Sequence, residues 1–244
     1  MRRKLKQGLF GALLTGCLCG ICLTAFAGST EKAAFDVNRA DIPKDAAVLI
    51  TVEGKENGLD AVVRAYVRTP GTEETKPGAF QLILSTEEGK LGRKGLGKEK
   101  EGDEKTPVGV FQMNTPFGVS KKLDGFPENY LQVDERYYWN GDSDSSMYNR
   151  LVRTDTYTAF DKKQSEHLIK YAGDYNYAID TGYNPEGVPG KGSALFLHCS
   201  MGRNTGGCIA VPEEAMIQIM RLYQEGKTWI AIAPKDGLAA FEKD

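Results

Sequence analysis

The chain has 244 residues, 41% hydrophobic and 26% charged, with a formal net charge of −2. A chain of that size and composition buries a core of its own, as one domain with or without a short extension. Of five cysteines only Cys199 and Cys208 lie beyond the first 22 residues, too sparse for a disulfide-built scaffold, and no basic stretch is interleaved with aromatics, so nucleic acid is not an implied partner.

Arg2, Arg3, Lys4 and Lys6 precede an uncharged, mostly apolar run from Leu9 to Ala27, and Ala25-Phe26-Ala27 puts small residues at the two positions a signal peptidase reads. This is the pattern of an export signal over residues 1–27. Two variants stay open. Leu14-Thr15-Gly16-Cys17 resembles a bacterial lipobox with Cys17 as the lipidated residue. The run is also close to the ~20 residues that span a bilayer, so an uncleaved segment would tether the chain to a membrane. Cleavage after Ala27 ranks first and an anchor second. Cleavage removes four positive charges, taking the formal charge from −2 to −6, and leaves only Cys199 and Cys208.

Residues 28–45 are polar and small and read as a linker. "AAVLITVEG", "AVVRAYVRT" and "AFQLILST" then read as strands bounded by Gly, Pro and Asn, the second with Val63, Ala65 and Val67 on one face. Residues 85–105 are charged and Gly/Lys-rich and read as a solvated loop. "TPVGVFQM" is a turn leading into a strand, and 114–158 a long Tyr-, Asn- and Asp-rich surface excursion. "DKKQSEHLIKYAG" reads as a short helix ending near Gly173, with His167 a surface residue. "YNYAIDTGYN" is a strand and turn, and "SALFLH" a short apolar strand. In "PEEAMIQIMRLYQEG" Pro212 takes the first helical position, Glu213 and Glu214 favour the positive end of the helix dipole, and Gly226 ends the segment. Ala215, Ile219 and Leu222 form one stripe, with Met216 and Met220 beside it. "TWIAIAP" is a last buried strand. The pattern predicts a mainly β domain with a few helices over residues 46–234, followed by a tail at 235–244.

The stretch "ALFLHCSMGRNTGGCIAVPEEAM" carries the chemistry. His198 ends a strand, and three glycines let the following loop bring Cys208 back toward the imidazole. A cysteine beside a histidine forms a thiolate–imidazolium pair, a nucleophile with its own acid. Gly206 and Gly207 leave backbone N–H groups open to an oxyanion. Three other readings compete. A Cys199–Cys208 disulfide suits an exported protein. Zinc held by His198, Cys199, Cys208 and His167 lacks paired ligand spacing. Ser200 as nucleophile lacks a G-x-S-x-G context.

"HCSMGRNTGGCIAV" resembles the signature of the L,D-transpeptidase family, whose catalytic domain is of the YkuD type. The matching positions are His198 and then Thr205-Gly206-Gly207-Cys208-Ile209. "KEGDEKTPVGVFQM" resembles a second landmark of that family, carried by Lys105, Thr106, Pro107, Gly109 and Phe111. "YNYAIDTGYN" and "GKGSALFLHC" are also similar to segments of one of its branches. Three positions depart from the pattern. The His-to-Cys loop is short, Ala210 replaces a polar residue usual two positions after the cysteine, and Cys199 stands where glycine is frequent.

The resemblance implies two mixed sheets packed around the site and transpeptidation of peptidoglycan stem peptides in the cell envelope. Cys208 would be the nucleophile and His198 the general acid/base, with no metal and no organic cofactor. The product would be a 3→3 cross-link, and carbapenems would inhibit. Arg203, Thr205, Tyr183 and Asn184 are candidates to line the substrate groove. The residue that orients His198 is left open between Ser200, Thr205 and a backbone carbonyl. With water as acceptor the same chemistry is that of an L,D-carboxypeptidase. A spent site would leave a cell-wall-binding module.

Overall fold

The computed structural model describes residues 35–71 and 78–243. The expected export signal at 1–27 lies outside the described residues. The strands in chain order are β1 (Val48–Gly54), β2 (Asp60–Arg68), β3 (Phe80–Lys90), β4 (Gly109–Gln112), β5 (Pro116–Gly118), β6 (Leu131–Gln132), β7 (Tyr137–Trp139), β8 (Leu151–Arg153), β9 (Glu166–His167), β10 (Ala178–Asp180), β11 (Phe196–Cys199) and β12 (Ile209–Val211). The helix α1 (Glu213–Leu222) and β13 (Thr228–Ala233) complete the order. Ten strands form one mixed sheet in the order β4-β13-β1-β2-β3-β12-β11-β10-β5-β6, and β8-β7-β9 form a second, antiparallel one. The mainly β pattern is the one the sequence leads one to expect, and two sheets are what the family resemblance implies, although the smaller sheet is antiparallel throughout rather than mixed.

β1 runs between β13 (parallel) and β2 (antiparallel), and is buried on both faces. That is why its sequence is a continuous apolar run rather than an alternation. Val48, Ile50 and Val52 enter the main core, which also takes Ile179 of β10, Leu197 of β11, Ile209 of β12 and one face of α1. Leu49 points the other way, into a second cluster with Ile42, Phe80 and Leu238. The stretch expected as a linker and the expected tail meet in this cluster. Asp41 N–H donates to Phe241 O at 2.7 Å and Lys243 N–H to Arg39 O at 2.8 Å. In α1 the buried residues are Ala215, Met216, Ile219 and Met220, with Pro212 as the capping residue before the first turn.

Three expectations are corrected. The charged segment 85–105 is not simply a solvated loop. β3 continues to Lys90, Leu91 is fully buried, and Lys98 and Asp103 form an ion pair at 2.8 Å with both side chains buried. The Asp103 carboxylate also accepts from the N–H groups of Glu99, Lys100 and Lys105, so the charge is held by the loop's own backbone. Residues 114–158 contain four short strands and bury Phe117 and Trp139, too sparsely spaced to produce a period. "DKKQSEHLIKYAG" is not an α-helix. Glu166 and His167 pair with β7, the His167 ring stacks on Tyr138 at 4.2 Å, and only Leu168–Tyr171 makes a 3₁₀ turn. Tertiary pairing overrides a weak local pattern.

Candidate active site

β11 and β12 are parallel neighbours, with Leu197 opposite Ile209 and His198 opposite Ala210. Side chains alternate across a strand. Leu197, Cys199, Ile209 and Val211 therefore enter the main core, whereas Phe196, His198 and Cys208 face the other side. The chain path thus delivers a histidine and a cysteine to one face of two adjacent strands, two residues apart in register. Cys199 is delivered to the opposite face, where its sulfur lies 3.5 Å from Tyr177 O. Both cysteines are free, and side chains aimed at opposite faces of a sheet cannot be bridged. The disulfide reading fails for that reason. The zinc reading fails with it, since Cys199 points away and His167 binds Glu135 O at 2.8 Å.

His198 is oriented by backbone. Its Nδ1 lies 2.7 Å from the Cys199 carbonyl. A carbonyl only accepts, so Nδ1 carries the proton, and in the neutral ring Nε2 holds a lone pair. Burial holds the imidazole below its ordinary pKa. Cys208 donates its S–H to Ala194 O at 3.2 Å, and Phe196 N–H points at the sulfur from 3.3 Å. Burial pushes this thiol up to about 12. Burial thus opposes charge on both groups, and so works against the ion pair expected from the spacing. The cause is the surrounding cluster of Phe117, Trp139, Tyr175 and Phe196, which withholds solvent from any charge. His198 and Cys208 line one cavity of about 360 Å³.

The loop between them is stitched to the Lys105-Thr106-Pro107 landmark. Thr205 donates to the Cys208 carbonyl at 2.6 Å, and Thr106, fully buried, donates to the same oxygen at 3.3 Å. Thr106 in turn accepts from Gly92 N–H at 2.8 Å. Two threonines a hundred residues apart thus clamp one carbonyl, which gives the two landmarks a shared physical purpose. Gly207 sits at φ +142°, and a Cβ there would come within 2.8 Å of the Lys105 carbonyl. Gly206 has open space around it. Gly207→Ala should therefore displace Cys208, costing about 1–3 kcal/mol of stability and most turnover. Gly206→Ala should leave the melting temperature within a degree or two, and paired thermal melts and assays check the contrast. The Gly207 N–H is already engaged, donating to Thr205 Oγ1 at 3.1 Å, so it is not a free oxyanion donor as expected. The N–H groups of Gly206 and Cys208 have no hydrogen-bond acceptor among the described residues.

The other expected site residues divide. Arg203 and Thr205 line the cavity, but Arg203 is paired with Asp174 and Thr205 is occupied as described. Tyr183 and Asn184 do not line it. Tyr183 OH donates to Lys191 O at 3.1 Å, and Asn184 Nδ2 donates to Val188 O and Gly192 O, pinning the 184–192 turn from a positive φ of 53°. A polar pair after a strand reads as a groove in sequence, and here it caps a loop. Residues that sequence reasoning missed include Asn149, which accepts from Trp139 Nε1 at 2.8 Å and from Ala194 N–H at 3.2 Å. It thereby fixes the carbonyl that holds the Cys208 proton. Also missed were Tyr175, hidden in a run read as strand, and Glu166, hidden in a run read as helix.

Residues 60–232 match the family model YkuD, described as the L,D-transpeptidase catalytic domain. No curated protein is similar enough to count as a match. Among solved structures, the chain is 16% identical to the helical cell shape determining protein Pgp2 from Campylobacter jejuni, over 83% of this chain and 52% of that one, with a TM-score of 0.46. It is 16% identical to Bd1075 from Bdellovibrio bacteriovorus, over 80% of this chain and 51% of that one, with a TM-score of 0.39. The chain spans about half the length of each.

Proposed function

We propose that this chain, which belongs to the YkuD family of L,D-transpeptidase catalytic domains, is an exported cysteine transpeptidase acting on peptidoglycan stem peptides. The observation that carries this reading is the delivery of His198 and Cys208 to one face of adjacent strands, at one cavity. In the proposed reaction Cys208 attacks the carbonyl between an L-centre and a terminal D-residue. As the C–S bond forms, the S–H proton passes to His198 Nε2 and the carbonyl π pair moves to oxygen, met by the N–H groups of Cys208 and Gly206. Collapse breaks the C–N bond, and the leaving D-amino acid takes the proton from Nε2. An amine from a neighbouring stem then attacks the thioester and gives its proton to His198. The sulfur departs and is reprotonated, leaving a 3→3 cross-link. Water in place of the amine gives carboxypeptidase chemistry. A carbapenem, whose strained amide mimics the scissile bond, is the acylating probe.

A neutral resting pair suits this sequence. The two proton transfers are between groups that hold no charge until substrate has displaced water from the cavity. The test is mass analysis of tetrapeptide stems incubated with the purified protein, with and without an added stem amine. Cross-linked dimer is the expected product. Tripeptide alone would make the chain a carboxypeptidase, and unchanged stems would end both readings.

A further inference from the structure

Two titratable groups at the cavity have no part in the dyad. Tyr175 is buried in the same apolar cluster as Cys208 and opens into the same cavity. Its ring meets Phe196 edge-on at 5.4 Å and His198 at 5.3 Å. Its O–H donates to Glu166 Oε2 at 2.6 Å. A phenol has one hydrogen to donate. Glu166 has no cation partner among the described residues, because the cations of the cavity are engaged elsewhere: Arg93 with Glu104, Lys98 with Asp103, Arg203 with Asp174. The resting sulfur does not need the phenol, since its own S–H is donated to Ala194 O. Once that proton has gone to His198, the sulfur becomes an acceptor, with the Phe196 N–H aimed at it from 3.3 Å and the Tyr175 hydroxyl the other donor at hand.

We propose that the single Tyr175 hydrogen serves two acceptors in turn, the Glu166 carboxylate in the resting site and the Cys208 sulfur once it is ionised. On the reading of Cys208 as nucleophile, Tyr175 is a further catalytic residue. Glu166 is a positioning residue that competes with the sulfur for the phenol. The charges agree with the geometry: a Tyr175 hydrogen bond favours the ionised sulfur, and the Glu166 carboxylate opposes it. The other titratable or charged groups facing the pair are Arg93, Lys98 and Glu101 from the 91–106 segment, Tyr171 and Asp174 beside Tyr175, His198 on β11, and Arg203 on the loop. Substituting either partner leaves all of them in place.

The two partners of one hydrogen bond are thus expected to act in opposite senses, which a merely structural pair would not do. The measurement is the rate of Cys208 alkylation by iodoacetamide at fixed pH 8 in the full chain, followed on the Cys208 peptide by mass spectrometry. Glu166→Gln keeps an acceptor for the phenol and removes the charge. It should react roughly tenfold faster, as a change of about one pKa unit in the thiol requires. Tyr175→Phe keeps the ring and removes the hydrogen, and should react roughly threefold slower or more, about half a unit in the other direction. Rates that do not change, or that change in the same direction, overturn the proposal. If one variant does not fold, the other decides alone: Glu166→Gln without acceleration, or Tyr175→Phe without slowing, overturns it. Alkylation needs no stem peptide. Opposite shifts in a chain inert toward stems would leave this inference standing and remove the transpeptidase reading.

Discussion

Cys208→Ala will give a folded chain that takes up no carbapenem and turns over no stem peptide. Its activity will fall to background, a loss on the order of 10⁶ as for other nucleophile deletions. The fold should survive because the lost group is small. The variant gives up the S–H bond to Ala194 and leaves Phe196 N–H without the sulfur, which costs about 1–2 kcal/mol. Intact mass after carbapenem exposure, read beside a thermal melt, separates loss of the nucleophile from loss of structure. Cys199→Ala is the matched control. It deletes an equally buried sulfur from the opposite face of the same two strands, so it should lose comparable stability and keep the adduct. An adduct that persists in Cys208→Ala and disappears in Cys199→Ala would exchange the roles assigned to the two cysteines.

The elements legible in the sequence were those long enough to show a period or a continuous run. β1, β2, β13 and α1 are of this kind, and their buried residues fall where the pattern puts them, except that Val67 of β2 and Leu222 of α1 are only half-buried. The strands of two or three residues between Pro116 and His167 were not, because a pair such as Glu166–His167 contains no period and is made a strand by Tyr138 and Trp139 opposite it. The same division runs through the site. That His198 and Cys208 would share a face followed from a strand ending in histidine and a glycine-rich return. The burial that opposes their ionisation did not, because it comes from Phe117, Trp139 and Tyr175, which lie in other parts of the chain and were not marked by any local motif. The Thr106 landmark was visible as a resemblance before it had a reason. The reason is its bond to the Cys208 carbonyl, with Lys105 O closing the space where Gly207 would otherwise carry a side chain.

His198→Ala will lose stem-peptide turnover by a factor on the order of 10³, the size of a general acid–base contribution. The pH dependence shows how. In the resting site Nε2 must hold a lone pair to receive the Cys208 proton, so the competent imidazole is the neutral one, and activity is lost as pH falls through the folded-state pKa of His198. Burial lowers that pKa from 6.5. The acid limb of kcat/KM in the intact chain should therefore have its midpoint below pH 6.5. In His198→Ala that limb should vanish. What remains is attack by the small fraction of ionised thiol, which rises with pH toward the value of about 12 that burial imposes on Cys208. Residual chemistry of this kind will favour a carbapenem over a stem peptide. A strained β-lactam carries its own driving force, whereas a D-amino acid leaves poorly unless its nitrogen is protonated, and the group that protonates it is gone. The measurement is kcat/KM for stem peptide, and the acylation rate for carbapenem, across pH 5 to 10 in both chains. An acid limb that persists unchanged in His198→Ala would belong to some other group, and the pairing of imidazole with thiol on this face of the sheet would not be a catalytic one.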